Sequence, residues 1–266
     1  MKDTVGDRLE LAVEMARQAS DLILKYYQSD GLAVELKGDA SPVTIADRGA
    51  EEQIRETLKQ HYPQDGVLGE EFPEKPSENG FRWILDPIDG TKPFVHGVPL
   101  FGTLIALEHD GKAIMGVCRF PALDEVVYAA QGEGTWWQRG TETPKQTYID
   151  DIDDFSDATF CITEYATWQQ TQSQDALGTL VSRCKITRGW GDCYGHALVA
   201  TGRAHLMVDP VMSPWDAAAL VPIVLEAGGC WMDWKGNPVF DGGNGISVVP
   251  HLKDEVLRIV SSTSSQ

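Results

Sequence analysis

Residues 81 to 94 read FRWILDPIDGTKPF, an apolar run that ends in Asp86 and Asp89, three positions apart across Pro87 and Ile88 and followed at once by Gly90 and Thr91. The run reads as a strand and the proline and glycine as its turn, so two carboxylates are set where a strand ends. Two negative charges this close are costly unless a cation or a proton lies between them. Magnesium and calcium take hard oxygen ligands of this kind. Gly90 and Thr91 could open a helix whose free N–H groups face an anion. Asp before Pro and Asp before Gly are also common turn formers, so spacing alone leaves a structural turn open.

Outward from this stretch, VLGEEF is a second apolar run closing on acids, Glu70 and Glu71, and SPWDAAAL sets Asp216 at the start of an apolar helix. Strand ends and helix starts are where α/β proteins assemble their sites. Each acid has a plain alternative: Glu71 a solvated charge, Asp216 a complement to a helix dipole, Asp47 the capping-box acid beneath Thr44.

The chain has 266 residues, 42% hydrophobic and 23% charged, enough for one large domain or two closely joined lobes. We expect a single domain over 1–266 whose lobes divide near residue 145, 1–145 carrying the strand-end acids and 146–266 the rest. No basic segment followed by an apolar run opens the sequence and no stretch approaches the roughly 20 apolar residues of a membrane span, so a soluble, cytoplasmic protein is expected. The five cysteines are widely spaced without a CxxC pair, which argues for free thiols over disulfides or a thiolate zinc site. A net charge of −18 opposes nucleic acid and anionic membranes as partners. An anionic small molecule would need metal ions or aligned backbone N–H groups at its site.

Apolar side chains at Leu9, Val13, Ala16, Ala19, Ile23 and Tyr27 predict a helix over 7–27 with that face inward. A polar loop over 31–44 follows, then a helix from Thr44 to about Lys59. Short apolar runs from Val67 to Ala130, with HDGK as a hairpin turn, predict a mainly antiparallel sheet. Beyond the acidic stretch 150–157, strand-like ATFCIT, CKITRGW, CWMDW and GISVV alternate with helical DCYGHALVATG, SPWDAAALVPIVLEAGG and a last helix from about His251. Helix and sheet in alternation imply a layered α/β or α+β sandwich.

GEE, WILDPIDGT and PWDAAA, in that order and at these separations, resemble the inositol monophosphatase superfamily of magnesium-dependent, lithium-sensitive phosphatases. The likeness runs from KGDASPVTIAD to EAGG. It implies an αβαβα layered fold, usually a homodimer, acting on a small phosphomonoester with two to three Mg2+ ions. Carried over by position, it makes Glu70, Asp86 and the Ile88 carbonyl ligands of a first ion and Asp86, Asp89 and Asp216 ligands of a second, with Glu70 placing a third through water. It assigns Thr91, paired with Asp47, to the attacking water, and the Gly90 and Thr91 N–H groups to the phosphate. Two ions suit an in-line displacement without a phosphoenzyme. The haloacid dehalogenase type needs aspartates two apart, which these are not.

GWGDCYGHALVATGRAHLMVDPVMSPWDAAAL is similar to the histidinol-phosphate phosphatase branch of the superfamily. Asp192 and Asp209 stand where inositol-type members commonly carry a small residue and a Glu. Acids there suit the ammonium and imidazole of histidinol phosphate, whereas a neutral polyol needs neither. As alternatives, Asp192 would cap the helix near Cys193 and Asp209 would be a turn residue before Pro210. Pro93 and His96 depart from the branch's usual pattern, and Glu164 and Arg188 could border the pocket. The alternatives are an inositol or broader sugar or nucleotide phosphatase, and a non-enzymatic relative that binds metal or phosphate for regulation.

Overall fold

Two capping boxes start the first two helices. The structure, a computed structural model, describes residues 4–29, 34–36 and 42–262. α1 (Val5–Ile23) begins where the Thr4 hydroxyl accepts from the Asp7 N–H at 3.1 Å and the Asp7 carboxylate takes the Thr4 N–H at 3.0 Å. α2 (Ile45–His61) starts on Thr44 and Asp47 in the same way. The inward face of α1 is rotated from the sequence expectation: Arg8, Ala12, Met15, Ala16, Ala19, Ser20 and Ile23 are buried, while Leu9 and Val13 are only partly so. The cause is Arg8, drawn inward by an ion pair with buried Asp65. The helix also stops short of Tyr27, whose hydroxyl instead donates to the Gly97 carbonyl at 2.7 Å. Within the stretch read as a loop, β1 (Val34–Leu36) and β2 (Pro42–Thr44) pair antiparallel. Positions 31–33 and 37–41 of that loop lie outside the described residues.

A seven-stranded sheet holds β3 (Gly66–Gly69), β4 (Phe81–Asp89), β5 (Gly102–His109), β6 (Lys112–Phe120), β7 (Glu125–Ala130), β8 (Thr135–Arg139) and β9 (Lys145–Thr147) in chain order. Only β3 and β4 are parallel. The expectation omits β8 and β9: β9 is polar throughout, and β8 has only Trp136 and Trp137 between polar residues. A short helix, α3 (Thr91–Val95), follows β4 directly.

A five-stranded sheet takes β10 (Thr159–Cys161), β11 (Ile186–Arg188), β12 (Leu206–Asp209), β13 (Cys230–Met232) and β14 (Gly245–Val248) in the order β11-β10-β12-β14-β13. Between β10 and β11 run α4 (Tyr165–Gln170) and α5 (Gln174–Arg183), absent from the expectation. α6 (Asp192–Ala200) precedes β12, α7 (Pro214–Ala217) and α8 (Leu220–Glu226) follow it, and α9 (Lys253–Ser261) closes the described chain. The single helix expected over 213–229 is two. Pro222 has no N–H to offer the Ala218 carbonyl, and the helix breaks at Ala218 and Ala219. The break packs tightly on β6, where a Cβ on Gly116 would stand 2.0 Å from the Ala219 carbonyl oxygen.

Strand alternation sorts the core into layers. Trp83, Leu85, Ile105 and Val117 face α1 and α2, whereas Ile84, Leu104, Ala106 and Cys118 face α6, α7 and α8. On the second sheet, Phe160, Leu206, Ile246 and Val248 pack with Trp168 of α4, Leu177 and Leu180 of α5 and Ile259 of α9. Helix, sheet, helix, sheet and helix therefore stack in turn, the layered α/β sandwich expected. No helix among the described residues is long and apolar enough to cross a membrane.

Candidate active site

In a regular strand, residues three apart point to opposite faces. Asp86 and Asp89 escape this because the β4–β5 register shifts between them, a bulge centred on Pro87, which has no N–H for the ladder. The bulge is braced by the Thr103 hydroxyl, which donates to the Pro87 carbonyl at 2.8 Å. Asp216 arrives from the first turn of α7, held as a capping acid by the Ser213 N–H at 2.7 Å. Oxygens of Asp86, Asp89 and Asp216 then lie within 4.8 Å of one another.

Glu70 and Asp47 lie close to this group, Asp47 from the first turn of α2. Glu70 stands just past β3, its N–H on the Leu85 carbonyl at 3.3 Å, and it helps raise the carboxyls of Asp47, Asp86 and Asp216. The next peptide is anchored by Glu51 of α2, fully buried, which accepts from the Glu71 N–H at 2.8 Å and from Arg55 at 2.7 Å. Gly69 permits this, since a Cβ there would meet Glu51 Oε1 at 2.1 Å. The Asp47 carboxylate uses Oδ2 on the Thr44 N–H and hydroxyl, at 2.8 and 2.5 Å. Its Oδ1 is buried with no hydrogen-bond partner, and so is Oδ1 of Asp86.

Burial and mutual repulsion hold these acids toward their neutral forms. Asp86 is pushed well above the ordinary carboxyl range by burial first and then by Glu70, Asp89, Asp216 and Asp47. Asp89 is raised by burial and then by Asp192 and Asp216, against the Cys193 N–H that donates to its Oδ2 at 2.5 Å. Burial lifts Asp216 and Asp192 to about 7, and Asp47 to about 6. Among the described residues, none of Asp86, Asp89 and Asp216 forms a salt bridge. Buried carboxylates with orphaned oxygens and no protein cation are a donor set that fits hard divalent ions.

Gly90, with φ +83°, caps α3 and brings backbone close to the cluster: a Cβ there would be 3.3 Å from Asp192 Oδ2. The Thr91 hydroxyl donates to the Ile88 carbonyl at 3.1 Å, so the expected pairing of Thr91 with Asp47 is not made in this arrangement. Asp192 is not the cap of α6; Gly191 is, and Asp192 itself takes φ +52°, a left-handed strain of about 1 kcal/mol for an L residue. Its N–H is fixed by the Thr163 hydroxyl at 2.8 Å. Asp209 lies beside Asp89, Asp192 and Asp216 along a recess of about 60 Å³, but it is buried and engaged by His196, whose Nε2 is 3.2 Å from Asp209 Oδ2 and whose Nδ1 is 2.7 Å from Ser247 Oγ.

The acids open into a cavity of about 480 Å³ lined by Gly90, Thr91, Lys92, Glu164, Asp192 and Asp216 among others. Pro93 also lines it. His96 is exposed, its Nδ1 2.8 Å from the Lys92 carbonyl, and Arg188 is exposed with its guanidinium on the Thr187 carbonyl, away from the cavity lining. Sequence reasoning misses Glu51, Thr103, Thr163 and the Cys193 N–H, all of which position site residues. Only Glu51 leaves a trace, as an i,i+4 partner of Arg55 in α2.

Comparison with known proteins matches residues 6–264 to the inositol monophosphatase family. The chain is 47% identical to a histidinol-phosphatase of Chlorobaculum parvum, covering 90% of each chain. It is 36% identical to a histidinol-phosphatase of Mycobacterium tuberculosis over 94% of this chain and 96% of that one. In three dimensions it is similar to an inositol monophosphatase from Zymomonas mobilis, with a TM-score of 0.84 at 32% identity, over 97% of this chain and 99% of that one.

Proposed function

We propose that this chain, which belongs to the inositol monophosphatase family, is a magnesium-dependent phosphomonoesterase that hydrolyses L-histidinol phosphate to L-histidinol and phosphate. The carrying observation is the composition of the site: a cluster of buried carboxylates with two orphaned oxygens, opening into a cavity that carries further acids at Asp192, beside the cluster, and at Glu164, on its rim. Such a cavity suits a substrate with a phosphate at one end and nitrogen cations at the other. The 47% identity to a histidinol-phosphatase supports the same choice over an inositol phosphate.

Glu70, Asp86 and the Ile88 carbonyl would hold one Mg2+ ion, and Asp86, Asp89 and Asp216 a second, with Glu70 helping a third through water. When bound, the ions supply a water activated for in-line attack and neutralise charge at the phosphoryl and leaving oxygens. The N–H groups of Gly90 and Thr91 orient the phosphate at the first turn of α3. Thr91 and Asp47 act on the water: Asp47 Oδ1, buried without a partner, is an open acceptor for a proton handed on by the Thr91 hydroxyl once it leaves Ile88. Water oxygen forms the new P–O bond, the ester oxygen leaves with a proton, and no side chain is phosphorylated. Asp192 faces the departing alcohol and its amine, and Asp209, through His196, backs that wall. The same reading carries a cytoplasmic homodimer with lithium-sensitive turnover.

Phosphate release from a panel of esters, with Mg2+ and with chelator, tests the reading. Histidinol phosphate should give the highest kcat/KM, and activity should vanish without Mg2+. An inositol or sugar phosphate turned over faster would overturn the substrate, and full activity in chelator would overturn the metal.

A further inference from the structure

One charged contact on the cavity rim is left unused by this mechanism. Lys92 leaves α3 directly after the Gly90–Thr91 turn, and Glu164 stands at the start of α4, 72 positions later on the second sheet's side of the cleft. Their side chains meet across the opening at 2.5 Å, Lys92 Nζ to Glu164 Oε2, and both remain substantially exposed, at 64% and 41%. An exposed pair of this kind is weak, so it is readily exchanged for another partner. Glu164 itself is well placed: its carbonyl accepts from the Thr167 hydroxyl at 2.7 Å, and the adjoining Thr163 holds the Asp192 N–H.

Charge around the cavity shows what the exchange would favour. Among the described residues that line it, the acids are Glu164, Asp192 and Asp216, and Lys92 is the one cation. Asp216 belongs with the ion cluster. Asp192 is largely buried and held toward its neutral form, which leaves Glu164 as the exposed acid of the opening, with Lys92 as its partner. A phosphomonoester carrying an ammonium offers Glu164 a second cation in place of Lys92.

We infer that Glu164 is a specificity-determining residue that anchors a cationic group of the substrate, and that Lys92 holds its place on Glu164 until the substrate's own ammonium displaces it. The inference rests on the proposed phosphomonoesterase activity but not on histidinol phosphate in particular; any amino-bearing phosphate ester is recognised in this way. Lys92 released from Glu164 is then free to turn toward the phosphate end, adjacent to Gly90 and Thr91.

The test is a ratio of kcat/KM values, that for a cationic ester over that for a neutral one, which cancels any effect on phosphate binding or chemistry. Histidinol phosphate and phosphoethanolamine serve as cationic esters and glycerol 2-phosphate as the neutral one. Glu164→Gln should lower the ratio by about fivefold to twentyfold, the range of one charge-assisted contact at a partly exposed site, mainly through KM. Lys92→Met should raise the ratio by about twofold to fivefold, the exchange cost of an exposed pair, and should have no effect on it in a Glu164→Gln background. A ratio unmoved by Glu164→Gln overturns the inference, as does a Lys92→Met effect that persists in the double variant. A wild-type enzyme that prefers inositol phosphate to histidinol phosphate would refute the substrate proposed above, while the phosphoethanolamine ratio would still decide the role of Glu164. Both side chains are exposed, so neither variant threatens folding, and thermal melts check this.

Discussion

Strand β4 carries a buried acid site at each end, and the two are treated in opposite ways. Near its start, the Trp83 indole donates to Asp65 Oδ2 at 2.8 Å, Asn79 donates to Oδ1 at 2.8 Å, and Arg8 pairs with the same carboxylate while lying 4.0 Å from the Tyr62 ring centroid and 4.3 Å from that of Phe81. Every oxygen of Asp65 has a partner, and its charge is matched. Three residues beyond Trp83, Asp86 has an orphaned oxygen and only other acids for neighbours. The first arrangement is what stability requires of a buried charge; the second withholds the counter-charge from the protein and leaves it to be supplied. Completeness of pairing, more than burial, separates these two carboxylates.

The sharpest way to break this contrast is to neutralise one acid at each end. Asp89→Asn should reduce kcat by roughly 10³-fold, as for loss of a group acting chiefly in the transition state, while metal-free stability stays the same or rises because a buried repulsion is removed. Activity that survived would overturn the proposed ligand role. Arg8→Met should do the reverse. Stranding Asp65 should cost about 3–5 kcal/mol in urea unfolding, with kcat of the folded protein little changed.

A third expectation concerns pH without metal. Asp47, Asp192 and Asp216 have folded-state values of about 6, 7 and 7, all above the ordinary 3.8. The folded chain therefore binds more protons than the unfolded one between these limits, so their contribution is complete below about pH 4 and is lost as pH rises through about 6 to 7. In chelator, Tm should fall across that window, and added Mg2+ should restore it more at pH 8 than at pH 5. A Tm that rose steadily with pH in chelator would contradict the uncompensated cluster. The smallest effect is expected at Asp192. Below about pH 4, where Asp192 is protonated, Asp192→Asn should change stability by no more than about 0.5 kcal/mol because Asn tolerates a left-handed backbone, whereas Asp192→Leu should cost about 1–2 kcal/mol. Urea melts of the two variants separate backbone strain from charge.

How much of this was legible in the sequence depends on distance along the chain. The run ending at Asp86, the turn at Gly90, the cap at Thr44 and Asp47 and the helix start at Asp216 are local patterns, and the elements follow them. The Arg8–Asp65 pair spans 57 positions, and it rotates α1 away from its apolar periodicity because an arginine on a predicted polar face reads as solvated. The bulge at Pro87 is set by pairing with β5, and the left-handed Asp192 by Thr163, neither of which spacing encodes. That one oxygen of Asp209 meets His196, thirteen positions earlier, is likewise not written in its spacing. Pro222, which divides the helix expected over 213–229, was in plain view and outweighed by the apolar run around it.

The contact between the Cys193 N–H and Asp89 Oδ2 joins residues 104 positions apart and ties β4 to the layer between the sheets. Seen in the order of synthesis, a chain halted after β9 already carries Glu70, Asp86 and Asp89 yet lacks both this donor and Asp216. On the proposed two-ion reading, a chain shortened to that point would hold only part of its ligand set.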